Sequence, residues 1–458
     1  MDAVVTPTEM GVIDAEALEP VEVLIGRAGT AVARTAVAML GGSYGRRVVV
    51  VAGKGNNGND GREAARRLTE RGVRCQIFDA ASAPAVLPPA DLVIDAAYGT
   101  GFTGTYVAPQ PALTDTAVLA VDIPSGVDGL TGVAAGEPLA ADVTVTFAAL
   151  KPGLLLADGR RLAGRVEVAD IGLDVSSARA RLLDDDKVRS WLPVRPADTH
   201  KWKAAVRLVA GSPGMTGAAR LSAAAAMRAG AGYLWASTPG AVTDPGAPTE
   251  CVYTPLPVDG WAETVLSDGL HRCHALAVGP GLGRGPGTEA EVRRLVSQCH
   301  LATVVDGDAL SALGAAAASV VAARAEGAGP VVLTPHDGEF ESLTGHRPGS
   351  DRFAAARELA ARVGAVVLLK GATTVVADPG GSVLVVTSGD ARLATAGTGD
   401  VLTGIIAALL AGGLGGLEAA AAGAHMHGRA GALAWPRGLV ASDLVALLPV
   451  AFSHLQEP

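Results

Sequence analysis

The stretch RRVVVVAGKGNNGNDGREAARRLTER, residues 46–71, decides the fold class. Its unbroken apolar run, Val48–Ala52, reads as a strand buried on both faces, and such strands belong to parallel sheets covered by helices. Gly53, Gly55 and Gly58 then satisfy GxGxxG, and a helix is expected over Asp60–Arg71. A second strand, Val73–Phe78, ends at Asp79, 21 residues beyond Gly58. Strand, glycine loop, helix and a later acid form the dinucleotide-binding fingerprint in its proper context.

The same alternation runs outward in both directions. Leu92–Asp95, Val118–Asp122 and Val143–Phe147 follow in the first half of the chain. Val206–Ala210, Ala275–Val278, Val304–Asp306, Val331–Thr334 and Val366–Lys370 follow in the second. Strands separated by Ala-rich helical segments give an α/β class. A chain of 458 residues has room for two or three domains. The pattern stops between Asp184 and Thr199, where charges gather with Pro193 and Pro196, and restarts at Ala205. Two α/β domains, residues 1–190 and 191–458, are expected.

Composition removes several function classes. The net charge of −9 leaves no basic face for nucleic acid, so no nucleic-acid partner is expected. Aromatics at 3% require a core of Ala, Val and Leu and leave no base-stacking platform. Cys75, Cys251, Cys273 and Cys299 lie far apart without a CxxC pair, which argues for reduced thiols rather than disulfides or structural zinc. No basic residue precedes Arg27 and no apolar h-region follows, so the N-terminus does not read as a secretory signal. Val401–Leu417 is uncharged, but it is 17 residues long and rich in glycine, which fits a buried helix and turn better than a membrane span. A cytoplasmic protein with no membrane partner is expected.

Parallel sheets bind ligands at the carboxyl ends of their strands, so the chemistry is sought there. After the first strand, Asn56, Asn57, Asn59 and Asp60 surround Gly58 with amides and a carboxylate. A loop that only offers N–H groups to a pyrophosphate has no need of them; they suit a polar ligand or a cation, or they cap the helix. A second loop, Gly99-Thr100-Gly101-Phe102-Thr103-Gly104-Thr105, can also cradle phosphate. Asp122 ends the next strand and Lys151 follows the one after. The two make an acid/base pair, or a plain salt bridge, if those strands are neighbours.

GKGNNGNDG, IDAAYGTGFTG, VDIPSGVDG and FAALKPG, in that order, together resemble the NAD(P)H-hydrate epimerase domain over about Val5 to Asp174. The opening TPTEMGVIDAEALE…LIGRAGTAVA is similar to that family's first helices, with Ile25-Gly26 standing where a Met-Glu pair is usual. The resemblance implies a Rossmann-like three-layer α/β/α domain. It implies epimerisation of a hydrated nicotinamide at its hydroxyl-bearing carbon. Hydrate contacts are implied at Asn56–Asp60, Gly99–Thr105 and Asp122, with K⁺ held by Asn57, Asp95 and Ser125. Oxygen donors of this kind suit a hard cation.

In the second half, Thr395–Gly404 reads TAGTGDVLTG, glycines leading straight into an apolar helix. Its first N–H groups make an anion hole, and Asp400 beside it is placed either to accept a hydroxyl proton or to cap the helix. Lys370-Gly371-Ala372-Thr373-Thr374 adds a cation and hydroxyls at a strand end. No GxxxxGK[ST] is present, which excludes a P-loop enzyme. Gly281, Asp306, and His336 with Asp337 and Glu339 mark other strand ends. His425 and His427 face apart on a helix and read as structural. His200-Lys201-Trp202-Lys203 is a further possible phosphate-facing edge.

GAARLSAAAAMRAGAGY, AVGPGLG, DGDAL, LTPHDGEF, LKGATTVV and ATAGTGDVLTGIIAALLAG resemble the ADP-dependent NAD(P)H-hydrate dehydratase, a ribokinase-like fold, over about Thr199 to Leu448. Trp202 and Gly307 depart from that family's usual Gly and Ala. The resemblance implies hydrate contacts at Gly281, His336 and Asp400, and nucleotide contacts at Lys370–Thr374 and Gly397–Gly399. Mg²⁺ and ADP as co-substrate are implied with it. Both resemblances in one chain imply repair of NADH and NADPH hydrates, with Asp122, Lys151 and Asp400 carrying the catalysis, in a homo-oligomer. Competing readings are a vitamin-alcohol kinase fused to a nucleotide-binding module, a dehydrogenase using GxGxxG and Asp79, and a first domain that binds without catalysing.

Overall fold

The structure is a computed structural model describing residues 1–192 and 196–456. Pro193–Arg195 of the expected boundary segment lies outside the described residues. Two compact units divide between Arg181 and Leu182.

The first unit is organised by a parallel sheet of β1 (Arg47–Ala52), β2 (Arg74–Asp79), β3 (Leu92–Ala96), β4 (Ala117–Val121), β5 (Val143–Phe147) and β6 (Arg165–Ala169). Their order is β2-β1-β3-β4-β5-β6. Every residue of β3 and β5 is buried, as two covered faces require. Helices α1 (Pro7–Ala15), α2 (Val21–Leu40) and α3 (Asn56–Glu70) precede and follow β1. In α2, Ala28, Val32, Ala36 and Leu40 recur at helical spacing and join one core with Ala64, Ala65 and Leu68 of α3 and the sheet. Among the described residues α2 is the one helix long and apolar enough to cross a membrane, and this core is what its apolar face covers. The other face of the sheet packs Val49, Val51 and Val93 against Leu87, Tyr106 and Leu139 of the connections.

Strand order reverses between β1 and β3, which opens a crevice at their carboxyl ends. There the Gly53 N–H donates to the Ala96 carbonyl at 3.0 Å, and a Cβ on Gly53 would stand 1.9 Å from the Ala97 oxygen. Only glycine lets the two loops meet.

The second unit carries β7 (Ala205–Val209), β8 (Tyr233–Ser237), β9 (Val252–Tyr253), β10 (Ala275–Val278), β11 (Ala302–Val305), β12 (Val331–Leu333), β13 (Val366–Leu369), β14 (Thr374–Ala377) and β15 (Val383–Val386). They lie in the order β15-β14-β13-β12-β11-β10-β7-β8-β9, with β14 and β15 antiparallel to their neighbours. The helices that shape its site are α4 (Gly217–Arg228), α5 (Asp337–Thr344), α6 (Thr398–Ala411) and α7 (Gly416–Leu433). Every residue of α6 from Val401 to Ala411 is buried, so this apolar segment is a core helix, as its glycines suggested. A Cβ on Gly404 would lie 2.2 Å from the Ser222 carbonyl of α4, so the contact between α4 and α6 requires a glycine there.

The topology also places the His200–Lys203 segment. Lys201–Ala204 forms a 3₁₀ turn leading into the amino end of β7, where Arg272 stacks 3.9 Å over the Trp202 ring. The segment therefore sits at the amino end of β7, the opposite end of that strand from the Gly211 turn.

Candidate active sites

In the first unit, β4 and β5 are parallel neighbours, and this adjacency brings Asp122 and Lys151 together. Lys151 Nζ is 2.7 Å from Asp122 Oδ1, and the ammonium side chain is 2% exposed. Lys151 also donates to Thr146 Oγ1 at 2.9 Å and to the Phe147 carbonyl at 3.0 Å, while Thr146 donates to Asp122 at 3.1 Å. Burial works to raise the Asp122 carboxyl. The Lys151 charge, with hydrogen bonds from Lys151, Thr100 and Thr146, overrides it and holds Asp122 below the usual carboxylate range. Asp122 has φ +67, a strained backbone for a non-glycine residue that turns its carboxylate out of the strand line.

This pair opens into a cavity of about 1140 Å³. Of the expected hydrate contacts, Asn56, Asn57, Asp60, Gly99, Thr100, Gly101, Phe102, Thr103 and Asp122 line it; Gly58, Asn59, Gly104 and Thr105 stand outside the lining. Gly58 is packed against Gly53, where a Cβ would fall 1.9 Å from the Gly53 oxygen. The expected helix start at Asp60 is corrected. Gly55 is the extended N-cap, with no side-chain cap, and α3 begins at Asn56. Asn56 to Asp60 therefore occupy the opening of the helix rather than a loop before it. Asp60 is 7% exposed, and burial, with Asp122 nearby, pushes its carboxyl up to about 8. Asp14 of α1 also lines the cavity, its carboxyl raised by burial. Asp14 lies in the opening TPTEMGVIDAEALE segment but was not among the expected site residues, and no motif marked Thr146.

Of the three expected K⁺ ligands, Asp95 and Ser125 bond each other, Ser125 Oγ accepts from the Tyr98 N–H, and Asn57 lies beside Gly99. Both side-chain polar atoms of Asn57 are buried without a partner. Asp95 is 2% exposed, and it accepts from the Ser125 hydroxyl at 2.6 Å and the Ser125 N–H at 2.9 Å. An orphaned amide oxygen, a buried carboxylate and a hydroxyl are, as donor types, ones that fit a hard monovalent cation.

In the second unit, strand order reverses between β7 and β10, and the Gly211 N–H there donates to the Pro280 carbonyl at 2.7 Å. Gly281 has φ +66 in this turn. Gly397, at φ +89, is the N-cap of α6 without a side-chain cap, and Asp400 lies inside the first turn. Asp400 is thus not the helix cap. Burial, reinforced by Asp306, raises its carboxyl to about 6.

Lys370, just past β13, meets Asp306, just past β11, at 2.5 Å, and lies 3.8 Å from Glu339. Thr334 and Thr403 donate to Asp306 at 2.7 and 2.6 Å. Lys370–Thr374 turns from β13 into β14: Gly371 and Ala372 are exposed, Thr373 is buried and Thr374 begins the strand. His336 caps α5, its Nδ1 accepting from Gly338 and Glu339 N–H groups at 3.0 and 3.2 Å, with a side chain 60% exposed. Accepting at Nδ1 leaves the proton on Nε2. His427 is buried with Nε2 unpartnered, its ring bonded to the Thr398 backbone. Among the described residues, no group of three His, Cys, Asp or Glu side chains converges to hold a metal.

Each unit therefore sets glycine loops and a carboxylate of shifted acidity near the carboxyl ends of its own parallel sheet, the arrangement of a two-site α/β enzyme. Residues 206–448 match the family described as NAD(P)H-hydrate dehydratase, and residues 21–85 and 75–153 match the YjeF-related protein N-terminus. A bifunctional NAD(P)H-hydrate repair enzyme of Moorella thermoacetica is 38% identical, across 99% of this chain and 97% of its own. Its namesake from Escherichia coli K12 is 32% identical, across 88% and 84%. The ADP/ATP-dependent NAD(P)H-hydrate dehydratase of Bacillus subtilis, co-crystallised with ATP/Mg²⁺, is 30% identical with a TM-score of 0.52, across 59% of this chain and 97% of its own. The chain belongs to the bifunctional NAD(P)H-hydrate repair enzyme family.

Proposed function

We propose that the first domain interconverts the R and S hydrates of NADH and NADPH, and that the second dehydrates the S hydrate, with ADP giving AMP and phosphate. The observation that carries this reading is the presence of two separate glycine-loop sites, each with its own reactive carboxylate. A stereospecific dehydratase rescues one epimer of a damaged cofactor, and an epimerase in the same chain supplies it with the other. The relatives favour this over a vitamin-alcohol kinase.

In the first site Asp122, kept ionised by Lys151, accepts a proton from the hydrate, and Lys151 returns one as the hydroxyl-bearing carbon inverts. Asn56, Asp60 and the Gly99–Thr103 loop hold the substrate in the cavity. Asn57, Asp95 and Ser125 would hold K⁺, whose charge would order the loops they belong to.

In the second site Asp400 takes the proton of the hydrate hydroxyl, and that oxygen attacks the terminal phosphoryl of ADP, releasing AMP. The N–H groups of Gly397–Gly399 stabilise the developing charge. Phosphate then leaves the oxygen-bearing carbon as a proton leaves its neighbour, and the ring double bond is restored. Mg²⁺ bound on the nucleotide phosphates neutralises their charge. Lys370–Thr374 receives the nucleotide, while Gly281 and His336 receive the hydrate. A cytoplasmic location and a homo-oligomeric assembly are part of this proposal.

The test is recovery of reduced-nicotinamide absorbance from a mixed-epimer NADH hydrate with Mg²⁺, K⁺ and either ADP or ATP. Complete recovery with ADP, faster than spontaneous epimerisation, supports both activities. Recovery that stalls at one epimer's share leaves a first domain that only binds. A stable phosphorylated product points to the kinase instead.

A further inference from the structure

The second site contains a buried group that the reaction above leaves without a task. Asp306 lies just past β11, 2% exposed, and its carboxylate is held by three polar side chains. It pairs with Lys370 at 2.5 Å, accepts from Thr334 Oγ1 of the next strand end at 2.7 Å, and accepts from Thr403 Oγ1 of α6 at 2.6 Å. Thr403 Oγ1 is also 3.1 Å from the Gly399 carbonyl. A single carboxylate thus joins three strand ends to the second turn of the helix whose first turn carries Asp400. The contact is close: a Cβ on Gly399 would stand 3.5 Å from Lys370 Nζ and 3.9 Å from Asp306 Oδ2. Gly307 directly after it has φ +58, which turns the chain away and leaves the carboxylate at the strand tip.

We propose that Asp306 is a positioning residue of the dehydratase site: through Thr403 and Lys370 it fixes the first turn of α6 and so places Asp400 against the hydrate hydroxyl. The inference rests on the proposed dehydration and deepens it. A buried charge bonded on three sides to separate elements costs desolvation that a purely apolar tip would avoid. A carboxylate is nevertheless suited to this place, because it alone accepts from an ammonium and two hydroxyls together. The charges facing Asp400 are Asp306, Lys370, Asp308 and Glu339, and His427 of α7 lies behind Thr398. Of the charges, Asp306 does most to raise the Asp400 carboxyl, after burial itself.

The experiment compares the full chain with Asp306→Asn, Thr403→Val and Thr403→Ser. Asp306→Asn is expected to lower dehydration kcat by about 10- to 100-fold, the size of effect that a misplaced base produces. Its KM for the hydrate should change by no more than about threefold. The acid limb of its pH–rate profile should move down by about 0.5 or more, because a negative neighbour of Asp400 is gone. Thr403→Val should lower kcat, and Thr403→Ser should restore it. The Asp400 midpoint is read independently by ¹³C-carboxyl NMR titration without substrate, where Asp306→Asn should lower it. An unmoved midpoint, or full kcat in Asp306→Asn or Thr403→Val, overturns the proposal. If Asp306→Asn fails to fold, the Thr403 pair decides. If the unmodified chain restores no nicotinamide, the function reading fails and the NMR midpoint alone decides the positioning role.

Discussion

The two sites solve one problem, an ionisable carboxylate buried at a strand or helix end, in opposite ways. Asp122 has a buried ammonium of its own at 2.7 Å, and its carboxyl is held low. Asp400 shares the Lys370 ammonium with Asp306 and Glu339, and its carboxyl rises to about 6. A dedicated cation makes a base that is always ionised but weak. A shared cation leaves a stronger base whose charge depends on pH near neutrality. Mutations and pH should therefore affect the two activities separately.

The largest effect should come from breaking the dedicated pair. Lys151→Met leaves Asp122 buried without its cation, which should cost about 3–5 kcal/mol of stability. Mixed-epimer hydrate should then be recovered only to one epimer's share, while dehydration of the pure S hydrate continues in whatever fraction stays folded. Calorimetry and nicotinamide absorbance check the two halves, and complete recovery at the normal rate would remove Lys151 from the epimerase mechanism.

Asp400→Asn should do the reverse. Its side chain keeps its volume, so the melting temperature should change little, while dehydration kcat falls by about 10²–10⁴. Epimerisation, followed by chromatographic separation of the R and S hydrates, should be unaffected. A dehydratase that keeps full turnover would mean that another group takes the hydroxyl proton.

The next contrast is in pH. The Asp400 carboxyl is raised, so its ionised form, the active base, is lost as pH falls through about 6. Dehydration kcat should fall about tenfold per pH unit below that point. Asp122 is held low and stays ionised over the same range, so epimerisation should show no matching acid limb between pH 5 and 7. Parallel acid limbs for the two activities would break the comparison.

These contrasts were only partly legible in the sequence. β10 falls on the expected Ala275–Val278, an unbroken apolar run closed by Gly279, and β5 on the expected Val143–Phe147, where Val, Thr and Phe all favour a strand. The start of α3 was read four residues late: Asp60 resembles a cap, whereas extended Gly55 is the actual one. Asp122 and Lys151 were recognisable as partners once β4 and β5 were taken as neighbours. Lys370 was read only as a phosphate ligand, because its partner Asp306 lies 64 residues earlier and the pairing depends on which strand ends converge. Thr146 gave no signal, since a lone hydroxyl in a strand carries no spacing; Asp14 sits in a recognisable segment, but nothing in its spacing singles it out from Glu9, Glu16 and Glu19.

The smallest effect tests how far the dedicated pair depends on its surroundings. Thr146 stands between the two charges, accepting from Lys151 at 2.9 Å and donating to Asp122 at 3.1 Å. Thr146→Val keeps the shape and the β-branch but removes both bonds, leaving the direct ion pair in place. Each lost bond to a charged group is worth at most a few kcal/mol, and the remaining pair can tighten to recover part of it, so a net loss of about 1–2 kcal/mol is expected. If that loss falls on the transition state, epimerisation kcat drops roughly 5- to 30-fold with KM unchanged. If it falls on the ground state, the melting temperature drops and kcat is kept. The first result makes Thr146 part of the proton path between Asp122 and Lys151; the second makes it only a brace, and the ion pair alone then accounts for the ionised Asp122.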